Sequence, residues 1–283
     1  MAKNIVLRGN FFDFSEPIAM AIINITPNSF FAESRCNEEK AIVEHAEKAI
    51  SDGAKILDIG GYSTRPNADF VSEDEEKQRV SYALNIIRKK FPDVIISVDT
   101  FRAKVAEMAV NQYDADIIND ISGGMLDEKM FETVAKINRP YILMHTRGTP
   151  QEMQNLTDYD DLVADILKYF AEKIEKLRNL GFTSDIILDL GFGFAKTTEQ
   201  NYLLMRNIKA FECFNAPMLV GVSRKSMINN VLGTTPATAL NGTTVLNTFA
   251  LLNGADILRI HDVKEAVEAI KIISKFNFLS NAK

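Results

Sequence analysis

Eight short apolar runs recur along the chain, and each ends in polar or charged side chains. These endings lie 20 to 44 residues apart: Asn24, Asp58, Asp99, Asn119, His145, Asp189, Lys225 and the pair Arg259 and His261. Between the runs, apolar residues recur at helical spacing. Short Ile-, Val- and Leu-rich runs flanked by helices are typical of buried parallel strands. The pattern therefore predicts an α/β fold whose strand ends share one polar rim.

The predicted strands repeat evenly enough to indicate a closed barrel. They span 18–26, 55–60, 94–99, 116–121, 140–145, 185–190, 217–222 and Ile257–Ile260. Ahead of them, residues 4–15 alternate around Gly9 and predict a β-hairpin. A doubly wound open sheet is the alternative. Eight strand–helix units in a chain near the usual length of about 250 residues favour a (β/α)8 TIM barrel, as one domain over residues 1–283.

Capping residues predict where several helices begin. Asn37 is expected to cap the first helix, because Glu38 and Glu39 follow it in the first turn. Ser72 with Glu75 has the spacing of a capping box. Thr157 is predicted to open the longest helix, and continuous helices are expected over 199–214 and 239–253.

Composition narrows the range of partners. The chain has 283 residues, is 46% hydrophobic and 25% charged, and carries a net charge of -6. This charge argues against nucleic acid or an acidic membrane surface as the main partner. No apolar run reaches the roughly 18 residues of a membrane span, and no signal peptide is visible. Cys36 and Cys213 match no metal spacing, so we expect reduced packing residues in a cytoplasmic protein.

Acidic and amide side chains inside apolar strands are the first chemical signal. A buried carboxylate is costly unless it is paired or bound to a ligand. Asp99, Asn119 and Asp189 together offer acceptors and one amide that both donates and accepts. Such a set suits a flat heterocycle with several N–H and C=O groups, such as a pterin or a purine. Asp58 is interpreted as a loop organiser.

A second group of side chains is cationic or hydroxylic. It comprises Ser63, Thr64 and Arg65 after the second strand, residues 223–226 (SRKS) after the seventh, and Arg259 with His261 at the eighth. Arginine forks match phosphate oxygens, and loops after barrel strands seven and eight often bind anions. The group predicts an anion site on the same rim. For His145, structural and functional roles both stay open.

Eight motifs in order resemble the dihydropteroate synthase family. They are 24–30 (NITPNSF), 58–66 (DIGGYSTRP), 97–100 (SVDT), 118–123 (INDISG), 143–145 (LMH), 189–194 (DLGFGF), 223–226 (SRKS) and 259–263 (RIHDV). The resemblance implies condensation of 6-hydroxymethyl-7,8-dihydropterin diphosphate with 4-aminobenzoate. The products would be 7,8-dihydropteroate and pyrophosphate. It also implies a cytoplasmic, Mg²⁺-dependent transferase that sulfonamides target.

The resemblance assigns a role to each matching residue. Asp99, Asn119 and Asp189 would contact the pterin edge, Lys225 its carbonyl and ring nitrogen, and Arg259 a pterin face and phosphate. Asp99, Lys225 and Arg259 would thus be the catalytic residues. The other implied contacts are Thr64, Arg65 and His261 to the diphosphate, Asn24 to Mg²⁺, Met144 in the pocket wall, and Phe194 and Ser226 to the aminobenzoate.

Some positions depart from the family pattern. Asn28 replaces a usual aspartate, Leu190 a usual proline and Ala195 a usual glycine. A methyltetrahydrofolate-dependent methyltransferase is one alternative, but it needs no diphosphate site and so does not explain the cationic groups. A non-catalytic paralogue that keeps the pterin pocket is the other; the altered loop after the first strand supports it, and only turnover separates it from a synthase. The resemblance also implies a homodimer. Leu251, Leu252, Ile270 and Ile273 on the last two helices would allow it, but the barrel also needs these side chains inside, so the residues alone do not decide between the two uses.

Overall fold

A two-stranded hairpin precedes a closed barrel in the computed structural model, which describes residues 3–25, 32–62 and 70–281. The hairpin pairs β1 (Asn4–Leu7) with antiparallel β2 (Asn10–Asp13). The parallel barrel strands are β3 (Ile18–Asn24), β4 (Ile56–Gly60), β5 (Ile95–Asp99), β6 (Ile117–Asp120), β7 (Tyr141–Met144), β8 (Ile186–Asp189), β9 (Met218–Val220) and β10 (Ile257–Ile260). Strand β10 pairs with both β9 and β3, which closes the sheet. The predicted barrel and hairpin are confirmed.

Helices follow the strands and cover the outside of the barrel. Those in the described residues are α1 (Ala32–Ser51), α2 (Glu73–Lys90), α3 (Ala103–Tyr113), α4 (Met130–Ile137), α5 (Leu162–Asn179), α6 (Thr198–Arg206), α7 (Ser226–Leu232), α8 (Leu240–Leu252) and α9 (Val263–Asn281). Outward strand residues such as Leu57, Val98 and Leu188 are buried in one core with these helices. None of the helices within the described ranges has the length and apolar character that a membrane span requires.

Alternation along the strands separates the barrel interior into an apolar and a polar layer. Side chains two residues apart on a strand point to the same face. Inward residues near the strand starts form an apolar cluster. In five strands the inward residue two positions later is polar: Ile56 and Asp58, Ile95 and Ser97, Ile117 and Asn119, Ile187 and Asp189, Ile257 and Arg259. The hairpin residues Ile5 and Leu7 join the apolar cluster. The polar layer therefore lies toward the rim of the barrel opposite the hairpin.

Several helix boundaries differ from the prediction. Helix α1 begins at Ala32, so Asn37 lies inside it. Ser72 does cap α2, but the Glu75 carboxylate pairs with Arg79 and not with the cap backbone. The N-cap of α5 is Asp161, whose carboxylate accepts from two backbone N–H groups at 3.0 Å each. Helix α5 has 18 residues and α1 has 20, so α5 is not the longest.

The region after β8 is more broken than predicted. The expected 199–214 helix ends at Arg206 and continues as a 3₁₀ helix, Ile208–Phe214. Helix α7 begins at Ser226, which the family resemblance places at a helix N-terminus. A 3₁₀ turn at Pro236–Thr238, which the prediction omitted, lies between α7 and α8. Cys213, expected to be a reduced packing residue, is free as expected but exposed. The side chain of Cys36 lies outside the described part of the chain.

Candidate active site

A cavity of about 790 Å³ opens at the C-terminal rim of the barrel. It is lined by the predicted site residues that the structure describes: Asn24, Asp99, Asn119, Met144, Asp189, Phe194, Lys225, Ser226, Arg259 and His261. The predicted residues Ser63, Thr64 and Arg65, and the divergent Asn28, lie outside the described residues. Side chains that follow separate strands therefore meet in one cavity.

Arg259 lies between two buried carboxylates. Its Nε donates to Asp58 Oδ2 at 2.6 Å, and its Nη2 donates to Asp99 Oδ2 at 2.5 Å. Asn119 Nδ2 donates to the same Asp58 oxygen at 3.0 Å. The interpretation of Asp58 as a loop organiser is wrong, because its carboxylate instead fixes two cavity residues.

Burial and neighbouring charges set the protonation of this group. Burial opposes the charge of Arg259, but the carboxylates of Asp58 and Asp99 outweigh it and raise the pKa of Arg259. The pKa of Asp99 is raised to about 7. Burial is the main cause; the Arg259 guanidinium opposes the rise, and the charge of Asp58 adds to it. Asp99 therefore changes charge near neutral pH, and a nearby positive charge would favour its anion.

The amide of Asn119 presents an unused acceptor. Its Oδ1 is buried without a hydrogen-bond partner among the described residues, as is Asp58 Oδ1. Buried polar atoms nearly always have a partner in the protein or in water. Asn119 lines the cavity and its Nδ2 is held by Asp58, so its oxygen is the group left to accept a hydrogen bond.

A lysine and an aspartate form the wall next to β8. The Lys225 ammonium donates to the Phe192 carbonyl at 2.6 Å and lies 4.9 Å from the centroid of the Phe194 ring. Asp189 accepts from the Gly191 backbone N–H at 2.8 Å. Burial lowers the pKa of Lys225 to about 8, and burial raises that of Asp189 against the charge of Lys225.

The loop after β9 contributes a cation, Arg224, that lines the cavity but is already paired with a carboxylate. Arg224 has a left-handed backbone with φ of 60°. Its guanidinium forms a fork with the Asp262 carboxylate at 2.9 and 2.6 Å, so Arg224 holds the loop and its charge is already paired. Ser223 Oγ lies 3.0 Å from His261 Nδ1. Ser226, at the start of α7, faces the cavity as predicted.

A buried lysine that was not predicted from the sequence lies behind this wall. Lys196 is 3% exposed, and its Nζ lies 2.9 Å from Gly191 O, 3.0 Å from Phe194 O and 3.0 Å from His145 Nδ1. Lysines are almost never fully buried unless they are paired. A lysine two residues after the strand-end motif 189–194 was a signal that could have identified it.

The outer wall was also absent from the prediction. It includes Tyr62, Met153, Gln154, Asn229, Asn230, Thr234, Thr235, Pro236 and Ala237. Most of these residues lie in or beside α7 and the short 3₁₀ turns, and the sequences of these elements carry no strong signal. The prediction therefore identified the inner, charged part of the cavity and not its mouth.

Comparison with known proteins gives one consistent result. A family model described as pterin binding enzyme matches residues 20–261. Dihydropteroate synthase of Escherichia coli (strain K12) is 40% identical over 267 residues, which cover 94% of each chain.

Solved structures agree with the sequence match. Dihydropteroate synthase of Yersinia pestis, in a sulfonamide drug complex, superposes with a TM-score of 0.90 at 38% identity, covering 97% of this chain and 99% of that one. The Xanthomonas albilineans enzyme with 4-aminobenzoic acid gives a TM-score of 0.87 at 30% identity, covering 98% and 99%.

Proposed function

The chain belongs to the dihydropteroate synthases, within the pterin-binding enzyme family, and on that premise we propose how its barrel rim performs the reaction. The enzyme condenses 6-hydroxymethyl-7,8-dihydropterin diphosphate with 4-aminobenzoate to give 7,8-dihydropteroate and pyrophosphate, a step of folate biosynthesis. The observation that carries the assignment of residues is the single cavity in which acidic, amide and cationic groups meet.

The pterin lies across the polar layer of the barrel in this proposal. Asp99 and Asp189 accept from its ring N–H and amino groups, and Asn119 accepts through the oxygen that lacks a partner among the described residues. Lys225 exchanges the Phe192 carbonyl for the pterin carbonyl and ring nitrogen. Arg259, already held by two carboxylates, lies against the pterin face with no further loss of side-chain entropy.

The diphosphate extends toward the rim. His261 and Arg259 contact its oxygens, and Thr64 and Arg65 supply further contacts from outside the described residues. Arginine suits this position because its guanidinium stays charged and matches phosphate geometry. The cation set neutralises a leaving group that would otherwise face the acidic layer.

Asn24 fits a role in holding Mg²⁺ on the diphosphate. Mg²⁺ in such sites takes one or two protein oxygens and completes its shell with substrate phosphates and water. The Asn24 side chain is at the cavity rim, and a Cβ placed on Gly60 would lie 3.5 Å from its Oδ1, so glycine leaves this oxygen accessible. When bound, the ion would neutralise charge on the pyrophosphate.

The 4-aminobenzoate lies nearer the mouth, beside Phe194, with Met144 in the wall between the two substrates. Ser226 opens α7, where first-turn N–H groups lack helical partners and suit a carboxylate. The aminobenzoate ring packs on Phe194, which also contacts the Lys225 ammonium. With the carboxylate at α7 and the ring beside Phe194, the amine of the aminobenzoate points toward the pterin.

The chemistry needs electrostatic stabilisation more than a strong base. The bond between the pterin methylene carbon and oxygen breaks, and its electron pair leaves with pyrophosphate. Positive charge spreads from the methylene into the electron-rich ring, where the Asp99 anion stabilises it. The arylamine lone pair then forms the C–N bond, and the nitrogen releases one proton to solvent. Binding is ordered, with the pterin first.

Pyrophosphate release tests this assignment. Protein given dihydropterin diphosphate, 4-aminobenzoate and Mg²⁺ should release pyrophosphate only when the aminobenzoate is present. Lys225→Met should lower kcat/KM roughly tenfold or more, because a charge-assisted bond is lost. Lys168→Met, at an exposed position on α5, is the matched control and should leave the rate unchanged. Pterin binding with no release would indicate a non-catalytic pterin-binding protein.

A homodimer in the cytoplasm completes the proposal. Helices α8 and α9 pack together and expose an apolar face formed by Val245, Phe249, Leu252, Ile272 and Phe276. Of the residues considered from sequence, only Leu252 is exposed; Leu251, Ile270 and Ile273 are buried in the barrel core. Light scattering should give twice the chain mass, and Phe249→Asp should give a monomer.

A further inference from the structure

A buried polar network lies directly behind the cavity wall and has no part in the chemistry above. The Lys196 ammonium contacts His145 Nδ1 and the carbonyls of Gly191 and Phe194. The His145 ring is enclosed by Tyr159 and other aromatic rings. A buried ammonium is costly to maintain in a stable core, so the arrangement requires an explanation.

The network supports a strained loop, residues 190–197. Gly191, Gly193 and Ala195 all have positive φ, at 68°, 82° and 48°. Because every second residue has a positive φ, successive carbonyl groups point to different sides of the loop. Each carbonyl from 191 to 195 has a side-chain donor: Lys196 for Gly191 and Phe194, Lys225 for Phe192, Gln154 for Gly193 and Tyr159 for Ala195.

The two lysines hold this loop from opposite sides. Lys225 contacts the Phe192 carbonyl and the Phe194 ring from the cavity, whereas Lys196 contacts the neighbouring carbonyls from behind. If Lys196 were removed, the Phe194 carbonyl would lose its side-chain donor and the Gly191 carbonyl would keep only the Phe194 N–H, so the loop would have to turn to satisfy the Phe194 carbonyl. The Phe194 ring would move with it.

We propose that Lys196 is a positioning residue of the synthase, which fixes the loop from behind so that the Phe194 ring is held at the aminobenzoate site and the Phe192 carbonyl holds Lys225 until the pterin binds. His145 orients this ammonium by accepting one of its three N–H groups. The inference rests on the roles proposed above for Lys225 and Phe194. It also gives His145 a function, which the sequence left open.

The charge of Lys196 is linked to the His145 tautomer. Burial lowers the pKa of His145 well below its usual value, so its ring is neutral. Charged Lys196 donates to Nδ1, which leaves the ring proton on Nε2; neutral Lys196 would accept from Nδ1–H. The pKa of Lys196 is lowered to about 7, mainly by burial. The charge of Asp189 raises this pKa, and the charges of Lys225 and Arg147 lower it. Tyr159 and Tyr169 also face the ring, and burial raises both pKa values.

Steady-state kinetics of Lys196→Met test the proposal, with Lys168→Met as the control. We expect KM for 4-aminobenzoate to rise roughly tenfold or more, with a smaller change in kcat, because the Phe194 surface is displaced before the chemical step. Wild-type KM in the variant would overturn the proposal. If Lys196→Met does not fold, His145→Asn, which keeps an acceptor near Nδ1, should retain a lower KM than His145→Leu; equal KM values would overturn it.

Nitrogen NMR of the ring gives a readout that simple loss of stability does not produce. The chain has three histidines, so His145 can be assigned by substitution. Its ring nitrogens should exchange tautomer as pH rises through about 7, and Lys196→Met should abolish the change. A wild-type ring that carries its proton on Nδ1 below this pH would contradict the proposed contact, because the Lys196 ammonium can only donate to that nitrogen. Wild-type protein that releases no pyrophosphate would contradict the proposed function, while the NMR result would still report on Lys196.

Discussion

Arg259 shows why the charges of this site have to be considered as a group. One guanidinium is shared by Asp58 and Asp99, and Asp58 also fixes the Asn119 amide. Removing the arginine would leave two buried carboxylates without their cation, which is strongly destabilising in proteins. A loss of activity in Arg259→Ala would therefore not separate substrate binding from damage to the site.

Asp58→Asn is a more informative change. The charge of Asp58 raises the pKa of Asp99, so its removal should lower that pKa. In the wild type, kcat/KM should fall as pH decreases through about 7, because Asp99 loses its anion. In Asp58→Asn this fall in kcat/KM, the acid limb of the profile, should lie at lower pH, because Asp99 keeps its negative charge down to a lower pH. Asparagine retains an acceptor for Arg259 or Asn119.

Rate profiles over pH for both proteins decide this prediction. Asp160→Asn, an exposed aspartate outside the cavity, is the control and should reproduce the wild-type curve. An Asp58→Asn limb that coincides with the wild type, or lies at higher pH, would show that another group controls the acid side.

Residue type and position at strand ends were enough to predict the inner site. Asp99, Asn119, Asp189, Lys225 and Arg259 are polar groups at the ends of apolar runs, and they line one cavity. The same reasoning could not predict which residue supports another, because that depends on contacts between distant strands. It therefore underestimated Asp58 and missed Lys196.

At the scale of elements, strands were predicted better than helix starts. Strand β10 agrees at both ends with the prediction, and the other barrel strands are shorter than predicted by a few residues. The segment 157–161 contains one threonine and three aspartates, all of which can cap a helix. Local sequence could not choose among them, whereas packing places Leu162 in the core and makes Asp161 the cap.

Asp161→Ala tests this cap. The carboxylate accepts from the N–H groups of Val163 and Ala164, so its loss should destabilise the protein by about 1 kcal/mol. Asp160→Ala removes the same charge one residue earlier, at an exposed position, and should cost much less. Urea unfolding midpoints give the comparison. Equal midpoint shifts would mean that the effect is one of net charge and not of capping.

At the scale of the whole molecule, the barrel separates stability from chemistry. The hairpin covers the end opposite the cavity, where Ile5 and Leu7 pack on the apolar inner layer. Arg8 links the hairpin to Asp116 with bonds of 2.6 and 2.9 Å. The even repeat of strands was visible in sequence, but hairpin docking was not, because it depends on contacts between the ends of a closed sheet.

Two neighbouring hairpin residues should therefore differ sharply in their effect on stability while neither alters catalysis. Ile5 is fully buried in the apolar layer, whereas Val6 on the opposite face is 44% exposed. Ile5→Ala should cost roughly 2–5 kcal/mol through the cavity it leaves. Val6→Ala should cost less than about 0.5 kcal/mol, as surface changes usually do. At temperatures where both variants stay folded, kcat/KM should match the wild type, because the cavity lies at the other rim. Thermal unfolding and kinetics on the same preparations test both statements, and a reduced kcat/KM in folded Ile5→Ala would show that the two ends of the barrel are coupled.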